Sequence, residues 1–195
     1  MERTYHALPI RELAAGAGFR RPVQAPAARV TSESPALQVM TDLTRVTPAS
    51  IRPQAPLAGA NQFMITRGVR LLLVVDEAQE RVLGVITAAD VLGERPMQVA
   101  TGRGLRRDEL TVADVMTPAP QVEVIALAEA EAARVGHILE TLRRAGRQHL
   151  LVVDQDSMVR GIFSLSQIAR QLGVSLPPGG EVARTFSEIE AALAR

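Results

Sequence analysis

Leu72-Leu73-Val74-Val75-Asp76 returns as Leu150-Leu151-Val152-Val153-Asp154, about 78 positions further along a chain of 195 residues. Two other blocks return in the same order. They are Val39-Met40-Thr41, repeated as Val115-Met116-Thr117, and Gly84-Val85-Ile86-Thr87, repeated as Gly161-Ile162-Phe163-Ser164. Three blocks that recur in one order, at offsets of 76 to 78 positions, indicate an internal duplication.

Each copy predicts the same series of elements. A short strand at Ser50-Ile51 leads to a helix that begins near Leu57 and ends at Gly68, because glycine commonly terminates a helix. The second helix has the apolar stripe Val135, Ile138, Leu139 and Leu142 and ends at Gly146. Each apolar block then reads as a strand buried on both faces, followed by a turn, a third strand and a short helix. We therefore predict an α/β (α+β) fold made of two βαββα units.

Composition excludes several classes of protein. Hydrophobic residues make up 47% of the chain, so it can bury a core, whereas a net charge of +1 and 3% aromatic residues argue against nucleic acid as the main partner. The chain has no cysteine, hence no disulfide framework and no thiol nucleophile. Its apolar runs are too short to cross a membrane. We expect a cytoplasmic protein without a membrane partner.

The duplication and the breaks around it predict the domain organisation. Residues 1–35 are expected to form a poorly ordered N-terminal arm, 36–97 the first repeat and 111–173 the second. Residues 98–110 form a linker within a basic stretch that carries Arg95, Arg103, Arg106 and Arg107. Residues 174–195 form a tail in which a Pro-Pro-Gly-Gly break precedes a helix at about Thr185 to Ala194.

The repeated blocks, taken in order, resemble a tandem pair of cystathionine-β-synthase (CBS) domains, also called a Bateman module. The resemblance covers about Ala36 to Gly173. It implies two repeats packed about a pseudo-twofold axis, with clefts in which adenine-containing ligands bind. It also implies control of an enzyme, channel or transporter. Because the flanks of the pair are too short to hold such a domain, we expect a stand-alone module.

Thr87-x-x-Asp90 at the start of a helix has two interpretations. In the structural one, the two side chains form a capping box. In the functional one, Asp90 accepts both hydroxyls of a ribose, and Thr87 with the helix N-terminus faces a phosphate. The second copy has Ser164-x-x-Gln167, which we expect to cap its helix without supplying a carboxylate. The family resemblance implies that Asp90 is the ribose ligand.

Other candidate nucleotide-binding residues flank the same strands. Arg70 in copy one and Arg147 and His149 in copy two stand just before or at the start of the buried strand, where basic residues often touch phosphates in the family. Ser50 and Ile51 are candidates for an adenine pocket, and Ser164 for the second cleft. The structural alternatives are solvated arginines near helix ends and a core role for Ile51.

These residues favour a regulatory sensor over an enzyme. No catalytic set and no metal-ligand spacing stands in one motif, so we predict no catalytic residues, no metal site and no resident cofactor. The candidate ligands are AMP, ADP, ATP, NAD, S-adenosylmethionine and a cyclic dinucleotide. We expect a homodimer that regulates an enzyme or transporter. The alternative is a dimerisation or protein-interaction module that has lost its ligand.

Overall fold

The computed structural model describes residues 30–78, 81–174, 186–189 and 191. Residues 1–29 of the predicted arm and residues 175–185 of the predicted tail lie outside this range. The strands are β1 (Thr41–Asp42), β2 (Ser50–Ile51), β3 (Leu71–Val75), β4 (Val82–Thr87), β5 (Thr117–Pro118), β6 (Val124–Ala126), β7 (His149–Val153) and β8 (Val159–Ser164). The helices are α1 (Leu57–Arg67), α2 (Ala88–Leu92), α3 (Arg95–Arg103), α4 (Val112–Val115), α5 (Leu127–Ala132), α6 (Val135–Ala145) and α7 (Leu165–Gln171).

The strands form two four-stranded sheets, and each sheet takes one strand from the other repeat. The first sheet has the order β2-β3-β4-β5 and the second β1-β8-β7-β6. Strand β5 opens the second repeat yet pairs antiparallel with β4, while β1 opens the first repeat and pairs antiparallel with β8. Since β1 and β5 are equivalent strands, the exchange is reciprocal, as a pseudo-twofold relation requires. The prediction of two βαββα repeats is confirmed.

Both repeats show the predicted strand, turn, strand and helix start. In the first, Leu71 of β3 lies opposite Thr87 of β4, and in the second His149 of β7 lies opposite Ser164 of β8. The preceding helices α1 and α6 end at Gly68 and Gly146, with φ of 65° and 63°. A residue with a Cβ is strained in this left-handed conformation, which is why glycine stands at both ends.

Successive side chains of β3 point to opposite faces of the sheet, and this divides the core into layers. Leu72 and Val74 pack under the helices of the first repeat. Leu71, Leu73 and Val75 face the second sheet and form a cluster with Leu151. The molecule is thus a stack of helices, sheet, sheet and helices, with an apolar seam between the two sheets.

The segments around the repeats are bound to them. Residues 34–36 belong to the second repeat's surface, because Val135 N–H donates to Ser34 O at 2.9 Å and Ala36 N–H to Ala133 O at 3.0 Å. The basic stretch between the repeats contains helix α3. Residues 186–189 are helical, and Phe186 and Ile189 are buried against the second repeat. Among the described residues, no helix is long and apolar enough to span a membrane.

Candidate functional site

A cleft opens between the two repeats at one end of the apolar seam. It encloses about 800 Å³, counting the part open to solvent. Its apolar walls come from both repeats: Leu71, Val85, Val122, Leu150 and Leu151. Its polar lining includes Thr87, Asp90, Thr117, Arg147 and His149. The cleft therefore joins the helix start of repeat 1 to the β7 strand of repeat 2.

Thr87 and Asp90 form the capping box that the sequence predicts. Asp90 N–H donates to Thr87 Oγ1 at 3.2 Å, and Thr87 N–H donates to Asp90 Oδ2 at 2.9 Å. The Thr87 hydroxyl also donates to Asp90 Oδ2, at 2.6 Å. These bonds hold the carboxylate at the cleft wall and leave Oδ1 as the oxygen that points away from the cap. Helix α2 has only five residues, so its dipole gives little help to a phosphate.

Arg95, from the first turn of α3, takes up that remaining oxygen. Its Nη1 lies 3.5 Å from Asp90 Oδ1 and 3.5 Å from Thr117 Oγ1, and its Nη2 donates to the carbonyl of Met116 at 3.1 Å. The guanidinium thereby links helix α2 to the strand β5 that the second repeat contributes. The side chain of Arg95 is 42% exposed and that of Asp90 20% exposed. The contact is accessible to an incoming ligand.

His149 stands at an otherwise apolar position of the seam. By repeat equivalence its counterpart is Leu71, which is buried among leucine and valine side chains. The Nδ1 atom of His149 is buried and has no hydrogen-bond partner among the described residues. Burial lowers the pKa of His149 to about 4, the nearby charge of Arg70 lowers it too, and Asp90 acts in the opposite direction. The imidazole is neutral near pH 7, so it offers a hydrogen bond and not a positive charge to the cleft.

The two predicted arginines, Arg70 and Arg147, lie in different surroundings. Arg147 lines the cleft, and its Nε lies 3.7 Å from Glu123 Oε2 in an exposed ion pair. Arg70 is exposed and lies close enough to His149 to affect its pKa. The carbonyl of Arg70 accepts a 2.9 Å hydrogen bond from Ala88 N–H, which fixes the start of α2 beside β3. Both arginines are thus near Thr87, although they come from different repeats.

Four predicted residues are not among those that line this cleft: Arg70, Ser50, Ile51 and Ser164. Ser50 and Ile51 lie on β2, on the other side of β3 from β4 and β5, and Ile51 packs on the core of repeat 1. Ser164 occupies the position in repeat 2 that Thr87 occupies in repeat 1. The structure brings Thr87 and Asp90 together with Arg147 and His149 of the other repeat.

The expectation that Ser164 and Gln167 cap α7 is wrong. The Ser164 side chain makes no capping hydrogen bond, and its Oγ lies 3.1 Å from Ser166 Oγ. Gln167 Oε1 instead accepts a 3.0 Å hydrogen bond from the hydroxyl of Thr41 on the exchanged strand β1. The Gln167 side chain therefore bonds to strand β1 and not to the N-terminus of its own helix.

A family model for the CBS domain matches the chain twice, at residues 37–96 and 112–173. The chain belongs to the CBS domain family. No curated protein sequence matches it closely enough to count as a relative.

Solved structures agree with a CBS pair. An uncharacterized conserved protein from Pyrococcus horikoshii is 19% identical, with a TM-score of 0.56 over 77% of this chain and 100% of that one. CBSX2, solved in complex with AMP, is 20% identical, with a TM-score of 0.51 over 70% and 94% of the two chains. The CBS domain pair of protein MJ0100, in complex with 5′-methylthioadenosine and S-adenosylmethionine, is 20% identical, with a TM-score of 0.51 over 72% and 96%. At these identities the likeness establishes the fold.

Sequence reasoning missed Thr117, which lines the cleft of this CBS pair, and Arg95, which contacts the cleft residue Asp90. Arg95 was assigned to a basic stretch between repeats, because nothing in its local pattern signals that α3 turns its first residue back toward Asp90. Thr117 was not among the predicted site residues, yet it lines the same cleft as Thr87. The repeated Val-Met-Thr block was a signal for Thr117, since a residue repeated at equivalent positions can serve equivalent clefts.

Proposed function

We propose that this CBS pair is a regulatory module, not an enzyme, that binds an adenine nucleotide or a related adenosyl ligand in the cleft between its repeats. We place it in the cytoplasm and expect it to act on an enzyme or transporter. The observation that carries the proposal is His149, which lines a cleft with Thr87 and Asp90 and whose buried Nδ1 atom has no hydrogen-bond partner among the described residues. An unsatisfied buried polar atom costs about 1–3 kcal/mol, so a ligand that supplies its partner is favoured.

The cleft matches the chemistry of an adenosyl group. Leu71, Val85 and Leu150 provide flat aliphatic walls for a purine, which in this chain cannot stack on tryptophan. Asp90 provides carboxylate oxygens for a pair of ribose hydroxyls. Arg147 at the exposed rim provides a cation for a phosphate. The presence of AMP in CBSX2, and of two adenosyl ligands in the MJ0100 pair, supports the same ligand class here.

The cleft also offers a route from binding to regulation. A ligand that contacts Asp90 and His149 touches both repeats at once, so its affinity depends on how the repeats are placed. It shifts the equilibrium between two arrangements by the difference in its affinity for them. The regulated partner would read that difference at the surface of the module or at its dimer contact.

A thermal-shift panel of AMP, ADP, ATP, NAD, S-adenosylmethionine and a cyclic dinucleotide tests the proposal. A ligand present at 100 times its Kd stabilises the folded state by about 2.7 kcal/mol, which gives a clear rise in Tm. We expect at least one adenine-containing compound to raise the Tm, and guanosine monophosphate to raise it less.

A second function is favoured by the way Asp90 is engaged. Its two carboxylate oxygens are already occupied by Thr87 and Arg95, as expected of a module that keeps the fold for assembly or protein interaction and binds no ligand. The same panel separates the two functions. If no compound changes the Tm of the folded protein, the ligand-free module is the correct description.

A further inference from the structure

Arg95 contacts the carboxylate oxygen of Asp90 that a ribose would bind. The Oδ2 atom of Asp90 accepts from both the backbone N–H and the hydroxyl of Thr87, so Oδ1 is the oxygen left for a ligand. Arg95 Nη1 lies 3.5 Å from this Oδ1. A cis-diol donates two hydrogen bonds, and Oδ1 has two lone pairs that can accept them. The Arg95 guanidinium therefore competes with the ribose hydroxyls for Oδ1.

The charges around the cleft decide what that displacement costs. Arg147 makes an exposed 3.7 Å ion pair with Glu123 at the rim, and His149 is neutral near pH 7, so neither replaces Arg95 at Asp90. Moving Arg95 off Asp90 leaves its guanidinium without this carboxylate partner. A neutral ligand gives this cation nothing in return. An anionic ligand provides a new partner, and a guanidinium binds phosphate oxygens well because it presents a planar fork of donors.

From this we infer that Arg95 sets the charge class of the ligand, selecting phosphate-bearing adenine nucleotides over neutral adenosine and its uncharged derivatives. The inference rests on the proposed function and deepens it. In the free protein Arg95 competes with the ribose for Asp90, and in the complex it turns to the phosphate. Adenosine competes with Arg95 for Asp90 and gains no contact with the displaced guanidinium. AMP competes in the same way and then gains a contact between its phosphate and that guanidinium.

The test compares AMP with adenosine, which differ only in the phosphate. Calorimetry on the full chain gives the ratio of the two Kd values for the wild type, Arg95→Ala and Arg103→Ala. Arg103 is the matched control, because it lies on the same helix and is also paired with an aspartate, Asp114, away from the cleft. We expect the wild type to bind AMP at least tenfold more tightly than adenosine. Arg95→Ala should reduce this ratio at least tenfold, in part because adenosine binds more tightly, and Arg103→Ala should leave it unchanged.

The outcomes distinguish a failure of the role of Arg95 from a failure of the proposed function. If the wild type binds AMP and Arg95→Ala leaves the ratio as it was, Arg95 does not select the ligand and the proposed function stands alone. If neither protein binds either compound, this inference fails, and the proposed function stands only if another adenine-containing ligand of the thermal-shift panel binds. Arg95→Gln provides a second neutral variant in case Arg95→Ala does not fold, which circular dichroism reports. It should reduce the ratio in the same way.

Discussion

The Thr41 hydroxyl donates a 3.0 Å hydrogen bond to Gln167 Oε1, which ties the exchanged strand β1 directly to helix α7. The equivalent threonine in the other half, Thr117, has no such direct bond to Asp90 among the described residues. Arg95 stands between them, 3.5 Å from each. One end of the module is therefore closed by a neutral side-chain contact and the other by a cation that a ligand can displace. The two ends should differ in ligand binding.

Asp90→Ala should remove most binding of AMP, whereas Gln167→Ala should change it little. Loss of the carboxylate leaves ribose hydroxyls without a charged acceptor, which costs on the order of 1.5–3 kcal/mol of binding free energy. Calorimetry measures the affinity, and thermal unfolding measures the separate loss of the helix cap, about 1 kcal/mol. An Asp90→Ala protein that melts earlier but binds AMP at full strength would show that this residue only caps α2.

Gly84→Ala should destabilise the fold by on the order of 1–3 kcal/mol, because a Cβ there would collide with the carbonyl oxygen of Thr117 on β5. Gly161→Ala, at the equivalent place, should cost less, since its Cβ would meet the flexible side chain of Met40. Gly59→Ala is the control: it lies in α1 with open space around it and should stabilise by about 0.5–1 kcal/mol. Urea unfolding measures all three, and equal effects at Gly84 and Gly161 would contradict the prediction.

Stability should fall as the pH drops from 6.5 towards 4. The pKa of His149 is about 4 in the folded protein and 6.5 when unperturbed, so between these values the unfolded chain binds one more proton. The slope contributed by this residue approaches about 1.4 kcal/mol per pH unit. Measuring urea midpoints above about pH 5.5 isolates this effect, because Asp42 and Glu140, whose pKa values are lowered to about 2, begin to contribute only as the pH approaches their unperturbed values of 3.8 and 4.5.

The matched variant for this pH series is His149→Leu, which places at β7 the residue that Leu71 provides at β3. It should flatten the profile between pH 6.5 and 4.5 and weaken AMP binding at pH 7. A profile that keeps its slope in His149→Leu would assign the effect to another group.

The protein should be a dimer in solution, with twice the 21.0 kDa mass of the chain by light scattering. Leu92 at the end of α2 and Met97 on α3 are 62% and 59% exposed, and such side chains lose water when they pack on a second copy. Leu92→Glu should shift the protein towards the monomer, and Val124→Glu, on the second sheet, serves as a control. A wild-type mass of one chain at micromolar concentration would refute the prediction.

The sequence predicts the structural features that depend on residues close together along the chain. The buried blocks at β3 and β7, the glycines that end α1 and α6, and the capping box of Thr87 are all local patterns. The misassignment of Ser164 has a different origin, because the partner of Gln167 is Thr41, 126 positions away. No local rule could predict that a glutamine would bond to a strand from the other repeat.

The cleft was predicted only in part for a similar reason. Thr87 and Asp90 come from one repeat and Arg147 and His149 from the other, and their meeting depends on how the sheets stack. Strands β1 and β5 have two residues each, too few to show an alternating pattern. Their exchange, which places Thr117 beside the cleft and allows Arg95 to reach it, is visible only in three dimensions.

The reciprocal exchange of β1 and β5 means that neither repeat is a self-sufficient folding unit. A repeat cut out alone would lose an edge strand and expose the hydrogen-bonding edge of β4 or β8, which invites pairing with other chains. The two halves should consequently unfold in a single cooperative step. The exchange also restricts hinge rotation between the halves, so the two arrangements that a ligand selects would differ by a limited displacement of one sheet relative to the other.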